Sequence, residues 1–502
     1  MKKILSLIFC FVSLTQICSA QDITGSFDEI MLGKLCPLPK FVEFKPEYFI
    51  LQKGGEIKIA TQKLDEKQVD FLESLPKQYW DFNCKLVFTE LADAQKLGNE
   101  GYSIDIDNNG IVIEANGFFA VHHAFKTLRQ MSEKQRDGNG EVFAHCKIKD
   151  SATIALRAIH LCVFPERTLA VLEKYLRMAS FYKFNYVFIE LFGTFPFKSH
   201  PEFCFANETV DRKKLKELIK LCKQLGLTPI PQFNVLGHAP QARLLTGKHV
   251  VLNSNPELAD VFEPTGWSYC MSSAKGEKIL KDLISELCEF YENPPFFHLG
   301  CDEAYDKATC YKCRHQKASE LFAQHIKKLT DHLIEKHNAR PIIWHDMLLD
   351  KTDPRWKNQE ANGTTEFAKV IDVLDKRVII ADWQYSQRNE YPTSVYFKSK
   401  GFDTVVSPWT NQHGIYVLAK SVAQNNLFGY LGTTWHFTSR QAFNNMFLHG
   451  ANAAWNGGEN RIKIDVRVVR NYHLRLMEND AKITDYEDLG TARKQIQTTS
   501  VE

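Results

Sequence analysis

From residue 154 onward the chain alternates short apolar runs with longer amphipathic stretches, and this rhythm constrains the fold more than any other feature. The apolar runs are Ile154–Leu161, Tyr186–Leu191, Thr228–Phe233, Phe296–Leu299, Pro341–His345, Val378–Trp383, Thr404–Ser407 and Tyr430–Trp435. Between them lie helical stretches such as Leu169–Phe181, Arg212–Leu225, Gly276–Tyr291 and Ser319–His337. Strand runs that are apolar on both faces suit a parallel sheet covered by helices. Eight of them alternating with helices predict an α/β fold, a (β/α)8 TIM barrel over residues 154–460. In such barrels the chemistry gathers at the carboxyl ends of the strands, so a strand count becomes a site prediction.

The region before the barrel has a different texture. Glu56-Ile57-Lys58-Ile59 alternates as a half-buried strand, residues 64–76 read as a helix, and Lys85–Phe88 as another strand. Two further runs, Tyr102–Ile106 and Ile111–Glu114, flank Asn108-Asn109-Gly110, a strong hairpin signal. An apolar helix over Gly117–Leu128 then packs on the sheet. Residues 37–150 therefore form a small α+β domain, an antiparallel sheet with helices, and it carries no cluster of acids or ligands. Residues 461–502 read as a tail packing on the barrel.

Met1-Lys2-Lys3, the apolar run Ile4–Leu14 and Ser19-Ala20 have the layout of a signal peptide over residues 1–20. The expectation is an exported protein, periplasmic or secreted, with no lipid anchor, because Ile17 before Cys18 is too bulky. No segment reaches the length of a transmembrane helix. A net charge of +2 without a long basic run argues against nucleic acid as a partner.

Among the strand ends, Phe296-Phe297-His298-Leu299-Gly300-Cys301-Asp302-Glu303 stands out. Two acids closing an apolar strand are costly unless they meet solvent or a ligand. Glycosidases with two opposed carboxylates draw them from different strands, about 5 to 9 Å apart, so a tandem Asp-Glu points to other chemistry. An Asp-x-Asp-x-Glu strand of the chitinase type is absent, since Leu299 and Cys301 occupy the Asp positions. The later strands end in aromatics: Trp344, Trp383 with Tyr385, Trp409 and Trp435. Indoles at successive strand ends suit stacking on a sugar ring.

The stretch His298–Glu303 resembles the catalytic signature of glycoside hydrolase family 20, the β-N-acetylhexosaminidases, and the order of elements fits over residues 37–460. The resemblance implies exo-acting, substrate-assisted retaining hydrolysis of a terminal β-linked GlcNAc or GalNAc on an oligosaccharide or glycoconjugate. It makes Glu303 the general acid and base, and Asp302 the residue that holds the 2-acetamido group. It further implies a methyl pocket of Trp344, Trp383 and Trp435, a Tyr385 hydroxyl on the acetamido carbonyl, and Trp409 nearby. It places Arg157 on sugar hydroxyls and His238 beside the acid. Two departures stand out: Glu190 is the only acid ending the second strand, and Phe437 stands where many members carry a Glu. The choice between gluco and galacto sugars is thus unspecified. Rival readings are another acetamido-sugar glycosidase and a catalytically silent carbohydrate-binding protein on the same fold.

No cofactor or metal is expected. Cys301, Cys310 and Cys313 form Cys-x8-Cys-x2-Cys. A structural zinc site needs four ligands, for which His315 or Cys270 could be the fourth. A disulfide pinning the loop fits an exported chain better. Cys162, Cys222 and Cys288 lie in apolar runs and read as buried small hydrophobes.

Overall fold

The computed structural model describes residues 26–91, 93–165, 169–205, 208–241, 248–435 and 444–459, with a few positions between 462 and 476. The signal-peptide expectation and Phe437 fall outside the described residues, as does most of the tail.

The first domain is built on seven strands: β1 Phe41–Gln52, β2 Glu56–Thr61, β3 Lys85–Glu90, β4 Tyr102–Asp107, β5 Gly110–Ala115, β6 Glu133–Lys134 and β7 Gly140–Asp150. Their order is β1-β7-β4-β5-β2-β3, with β6 on β7. Three helices accompany them: α1 Phe27–Leu32, α2 Glu66–Trp80 and α3 Phe118–Met131. The β4–β5 hairpin forms where Asn109-Gly110 predicts it, Asp107 accepting from the Asn109 amide at 2.7 Å. The expectation of an antiparallel sheet is corrected, because β2 runs parallel to both β3 and β5. A helix, α2, links β2 to β3, and a crossover of that length returns the chain in parallel. From Ala120 to Met131 every residue of α3 is buried.

The second domain is a closed parallel barrel of β8 Leu156–Val163, β9 Tyr186–Leu191, β10 Thr228–Gln232, β11 Phe296–His298, β12 Arg340–Trp344, β13 Ile379–Trp383, β14 Thr404–Ser407 and β15 Gly429–Thr433. Outside it lie α4 Leu169–Phe181, α5 Arg212–Gln224, α6 Ala274–Phe290, α7 Ala318–His337, α8 Pro392–Ser399, α9 Gln412–Asn425 and α10 Gly450–Asn456. Capping sets their limits: Asp211 accepts from the Lys213 and Lys214 amides of α5 and Ser273 from the Gly276 amide of α6, while Asn338 and Asn426 end α7 and α9 in left-handed conformation.

Alternation along the strands divides the core in two. Leu156, Ala158, Phe188, Ile230, Phe296, Ile342, Trp344, Ile379, Ala381, Val405 and Leu431 fill the barrel interior. Ile159, Leu161, Val163, Val187 and Ile189 point outward, into a larger core shared with the helices. The interior is therefore packed, so a ligand cannot enter the barrel itself and its carboxyl mouth is the place to look for a site.

Arg157 belongs to the outward set. It is the second residue of β8, at the amino end of the barrel. Its guanidinium binds Glu100 at 2.6 Å and the carbonyls of Lys183 and Ile154 at 3.1 and 2.8 Å, and it lies over the Trp455 ring. Close by, Asp150 accepts from Lys183, Tyr102 and Trp455. These buried polar groups join the two domains. Arg157 is thus a domain-interface residue, and its assignment to sugar hydroxyls is corrected: the strand runs two residues beyond its expected end, leaving Arg157 at the wrong end and on the wrong face. Trp455 is core, as expected.

Candidate active site

Strand β11 stops at His298, and the backbone turns sharply beyond it. Gly300 has φ +67°, Cys301 +78° and Glu303 +48°. A Cβ on Gly300 would sit 1.9 Å from Asn234 Oδ1, so glycine is required there by both conformation and space. Cys301 tolerates a left-handed backbone at a cost of about 1–3 kcal/mol, the kind of strain that packed surroundings hold at functional sites. The facing loop makes a matching approach: a Cβ on Gly237 would lie 2.0 Å from the Asp302 carbonyl oxygen. That contact puts the next residue, His238 (φ +59°), against both acids.

His238 Nε2 lies 3.3 Å from Asp302 Oδ2 and 3.3 Å from Glu303 Oε2. Burial alone would lower the imidazole pKa, but Asp302 and Glu303 outweigh it and carry it well above the ordinary value. In turn the His238 hydrogen bond holds the Glu303 carboxyl below its usual range, against the opposing effect of burial. The imidazolium stands between the two carboxylates. Asp302 is buried, and its Oδ1 has no hydrogen-bond partner within the protein. Such an atom is poised to accept a donor from a ligand. Glu303 is more open, its side chain 36% exposed.

The Glu303 backbone is held from two sides. Its N–H donates to Asp346 Oδ2 at 3.1 Å, and its carbonyl accepts from Trp267 Nε1 at 2.7 Å. The Trp267 ring also packs on His238, 4.6 Å between centroids. Asp346 is fully buried, takes a second hydrogen bond from Asn362 at 2.9 Å, and has its pKa raised by burial and by Asp302. Neither Asp346 nor Trp267 is singled out by the sequence. Asp346 lies two residues past Trp344, and following the inward-facing positions one step beyond that strand would have found it.

The strand-end aromatics come together at the carboxyl mouth. Trp344 is buried against His298 (4.2 Å) and faces Trp435 at 5.6 Å. Trp435 Nε1 donates to the Tyr385 hydroxyl at 2.6 Å, and Tyr385 in turn lies 4.9 Å from Trp383 and 5.2 Å from the half-buried Trp409. The indole N–H groups of Trp344 and Trp383 are buried without a protein acceptor. Glu190 sits lower in the mouth. Its two oxygens are taken up by His160 (3.0 Å) and Asn234 (2.8 Å), so it supports the floor of the site and is not a free acceptor. His160, missed in the sequence, packs on Trp435 at 4.8 Å. Its position inside an apolar strand gave no signal beyond that of a core histidine.

The loop cysteines are also rearranged. Cys301 points back to the Leu299 carbonyl, while Cys310 and Cys313 meet Cys270. None of the eleven described cysteines is paired in a disulfide, so the expected loop disulfide is not formed.

A parallel barrel whose carboxyl mouth holds a tandem carboxylate pair, bridged by histidine and walled by indoles, defines a sugar-cleaving class of site. Sequence comparison gives the family: residues 33–151 match glycosyl hydrolase family 20, domain 2, and residues 202–447 match the catalytic domain of the same family. The chain belongs to glycosyl hydrolase family 20, and the carboxylate pair lies inside the matched catalytic domain. Among solved structures, an exo β-N-acetylglucosaminidase from Vibrio harveyi in complex with N-acetylglucosamine superposes with a TM-score of 0.66 at 15% identity, covering 89% of this chain and 77% of that one. The β-N-acetylhexosaminidase from Bacteroides fragilis NCTC 9343 gives 0.66 at 17% identity, covering 90% and 99%. Hexosaminidase D of Bos taurus is 24% identical over 175 residues, 33% of this chain; the chain spans about half of that relative, 48% of its length.

Proposed function

We propose that this protein is an exo-acting β-N-acetylhexosaminidase that releases terminal β-linked GlcNAc or GalNAc with retention, using the sugar's own 2-acetamido group as nucleophile. The observation that carries the reading is the geometry of Asp302, Glu303 and His238 beneath the Trp344–Trp435–Tyr385 wall. The acetamido carbonyl oxygen attacks the anomeric carbon as the glycosidic C–O bond breaks, and Glu303 delivers its proton to the leaving oxygen. Asp302 Oδ1 accepts the acetamido N–H and stabilises the positive charge that grows on the oxazolinium ring. Glu303, now a carboxylate, takes a proton from water, whose oxygen bonds to the anomeric carbon and reopens the ring. A sugar seated against the half-open Glu303 displaces water and raises its pKa, offsetting the effect of His238. The closed floor of the barrel favours a single terminal residue over an internal one. Export directed by residues 1–20 is part of the same proposal.

A chromogenic N-acetylglucosaminide tests the reading directly. Wild-type protein should cleave it and leave the matching glucoside nearly untouched, because the glucoside lacks the nucleophile. Glu303→Gln should lose several orders of magnitude on unactivated glycosides and less on activated aryl ones. Comparable rates on glucoside and N-acetylglucosaminide, or a covalent sugar trapped on a carboxylate, would remove substrate assistance.

A further inference from the structure

Beside the catalytic loop, four potential ligands converge from two loops that are separate in sequence. Glu263 and Cys270 flank a tight turn in which Phe262 bridges Tyr269 and the Glu263 amide donates to the Ser268 carbonyl. Cys310 and Cys313 lie on a second turn, where the Cys313 and Arg314 amides both donate to the Cys310 carbonyl. Cys270 Sγ is 3.5 Å from Cys310 Sγ and 3.6 Å from Cys313 Sγ, and one ligand atom from each of the four residues lies within 4.8 Å of the others. All four residues are at least nine-tenths buried, Glu263 being 1% exposed.

We propose that Glu263, Cys270, Cys310 and Cys313 form a structural zinc site. Four-coordinate zinc with sulfur at about 2.3 Å gives tetrahedral S···S edges of about 3.8 Å, close to the separations found; a disulfide requires about 2.05 Å. Three thiols meeting at one point also fit a disulfide poorly, because any pair leaves the third stranded beside a carboxylate. Glu263 is the independent observation. Its Oε2 accepts from the Thr309 and Cys310 amides (2.9 and 2.7 Å) and from the Thr309 hydroxyl, whereas Oε1 is buried with no partner. A buried carboxylate oxygen without a partner is expensive unless a cation takes it up. The hydrogen bonds on Oε2 orient the carboxylate, as outer-shell partners do for metal ligands, and Ser272 lies 3.3 Å from Cys313 Sγ. Three thiolates and one carboxylate complete a closed tetrahedron, which makes the site structural and leaves no position for substrate. One of the joined loops carries Trp267, which holds the Glu303 carbonyl and packs on His238; the other continues directly from Glu303. The metal thus braces the acid without touching the sugar.

Metal analysis of the full chain, purified from zinc-supplemented culture and passed over a weak chelator, tests the assignment. About one zinc per chain is expected, with Cys270, Cys310 and Cys313 resistant to alkylation until a strong chelator removes the metal. Cobalt exchanged into the site should show thiolate charge-transfer and intense tetrahedral d–d absorption. Cys310→Ser with Cys313→Ser should abolish both signals, Glu263→Gln should speed loss of zinc to chelator, and Cys204→Ser, outside the cluster, should change neither. The wild-type measurement stands even where a variant fails to fold. Protein without zinc, or a Cys270–Cys310 or Cys270–Cys313 disulfide in a non-reduced digest, would overturn the proposal, as would zinc retained by the double variant.

Discussion

Replacing Arg157 with methionine tests which end of the barrel that residue serves. Arg157 is 1% exposed and gives hydrogen bonds to Glu100, to the Lys183 carbonyl and to the Ile154 carbonyl. Methionine keeps the aliphatic stem and removes all of these, together with the charge over Trp455. Breaking a buried ion pair by deleting one partner costs about 3–5 kcal/mol, chiefly through the charge left behind. Glu100 would still hold His123 at 2.7 Å and Asn185 at 3.2 Å, which favours the lower figure. Each of the two carbonyls that lose their donor adds about 1 kcal/mol, for a total of about 5 kcal/mol. Urea unfolding followed by tryptophan fluorescence should show the midpoint fall, while KM and kcat of the folded variant stay near wild type. The loss should also depend on pH. Despite its burial, Glu100 is held well below its ordinary pKa by Arg157 and His123. Its contribution is therefore complete above the unfolded carboxyl pKa and fades as pH falls below it, so the gap between variant and wild type should narrow in acid. An unchanged midpoint with a KM raised tenfold would refute the placement and return Arg157 to the sugar.

Asp346→Ala removes the acceptor of the Glu303 amide; a hydrogen bond to a charged group is worth about 1.5–3 kcal/mol, so kcat should fall about 10- to 100-fold with little change in KM. A loss confined to KM would make Asp346 a binding residue instead. His238→Gln removes the cation that lowers Glu303, so the alkaline fall of kcat/KM should move to higher pH; an unmoved limb would show that His238 does not set the acid. Gly300→Ala places a methyl on Asn234 Oδ1 at a left-handed φ, which should detach Asn234 from Glu190 and cost at least about 2 kcal/mol, seen as lower stability and activity together. Near-normal behaviour of that variant would mean the turn is looser than its geometry indicates.

The barrel was legible because strands buried on both faces must be apolar throughout, and few other architectures produce eight such runs between helices. The aromatic wall was legible for a related reason: Trp344, Trp383, Tyr385 and Trp435 each mark the point where an apolar run ends. The mixed sheet of the first domain was not, since strand direction depends on how α2 crosses over and leaves no mark on the strands themselves. The buried His160 also escaped, because within an apolar run a site histidine and a core histidine look alike.

Arg157, Asp346 and Glu263 show where reading along one dimension stops. An arginine in an apolar strand signals a buried partner, but whether that partner is a sugar or Glu100 depends on the face and end of the strand. Both turn on knowing its last residue to within one or two positions. Asp346 lies in a short 3-10 turn beyond β12, outside the strand whose end marked the site. Glu263 lies 47 residues before Cys310, so no local spacing links them. The structure brings them together because the loop after β10 and the loop after β11 emerge side by side at the carboxyl mouth. The same adjacency sets His238 between Asp302 and Glu303, so the bracing of the acid and the tuning of its proton arise from one neighbouring pair of loops. Changes to the β10 loop should therefore register in the chemistry of Glu303 even where they touch neither sugar nor carboxylate.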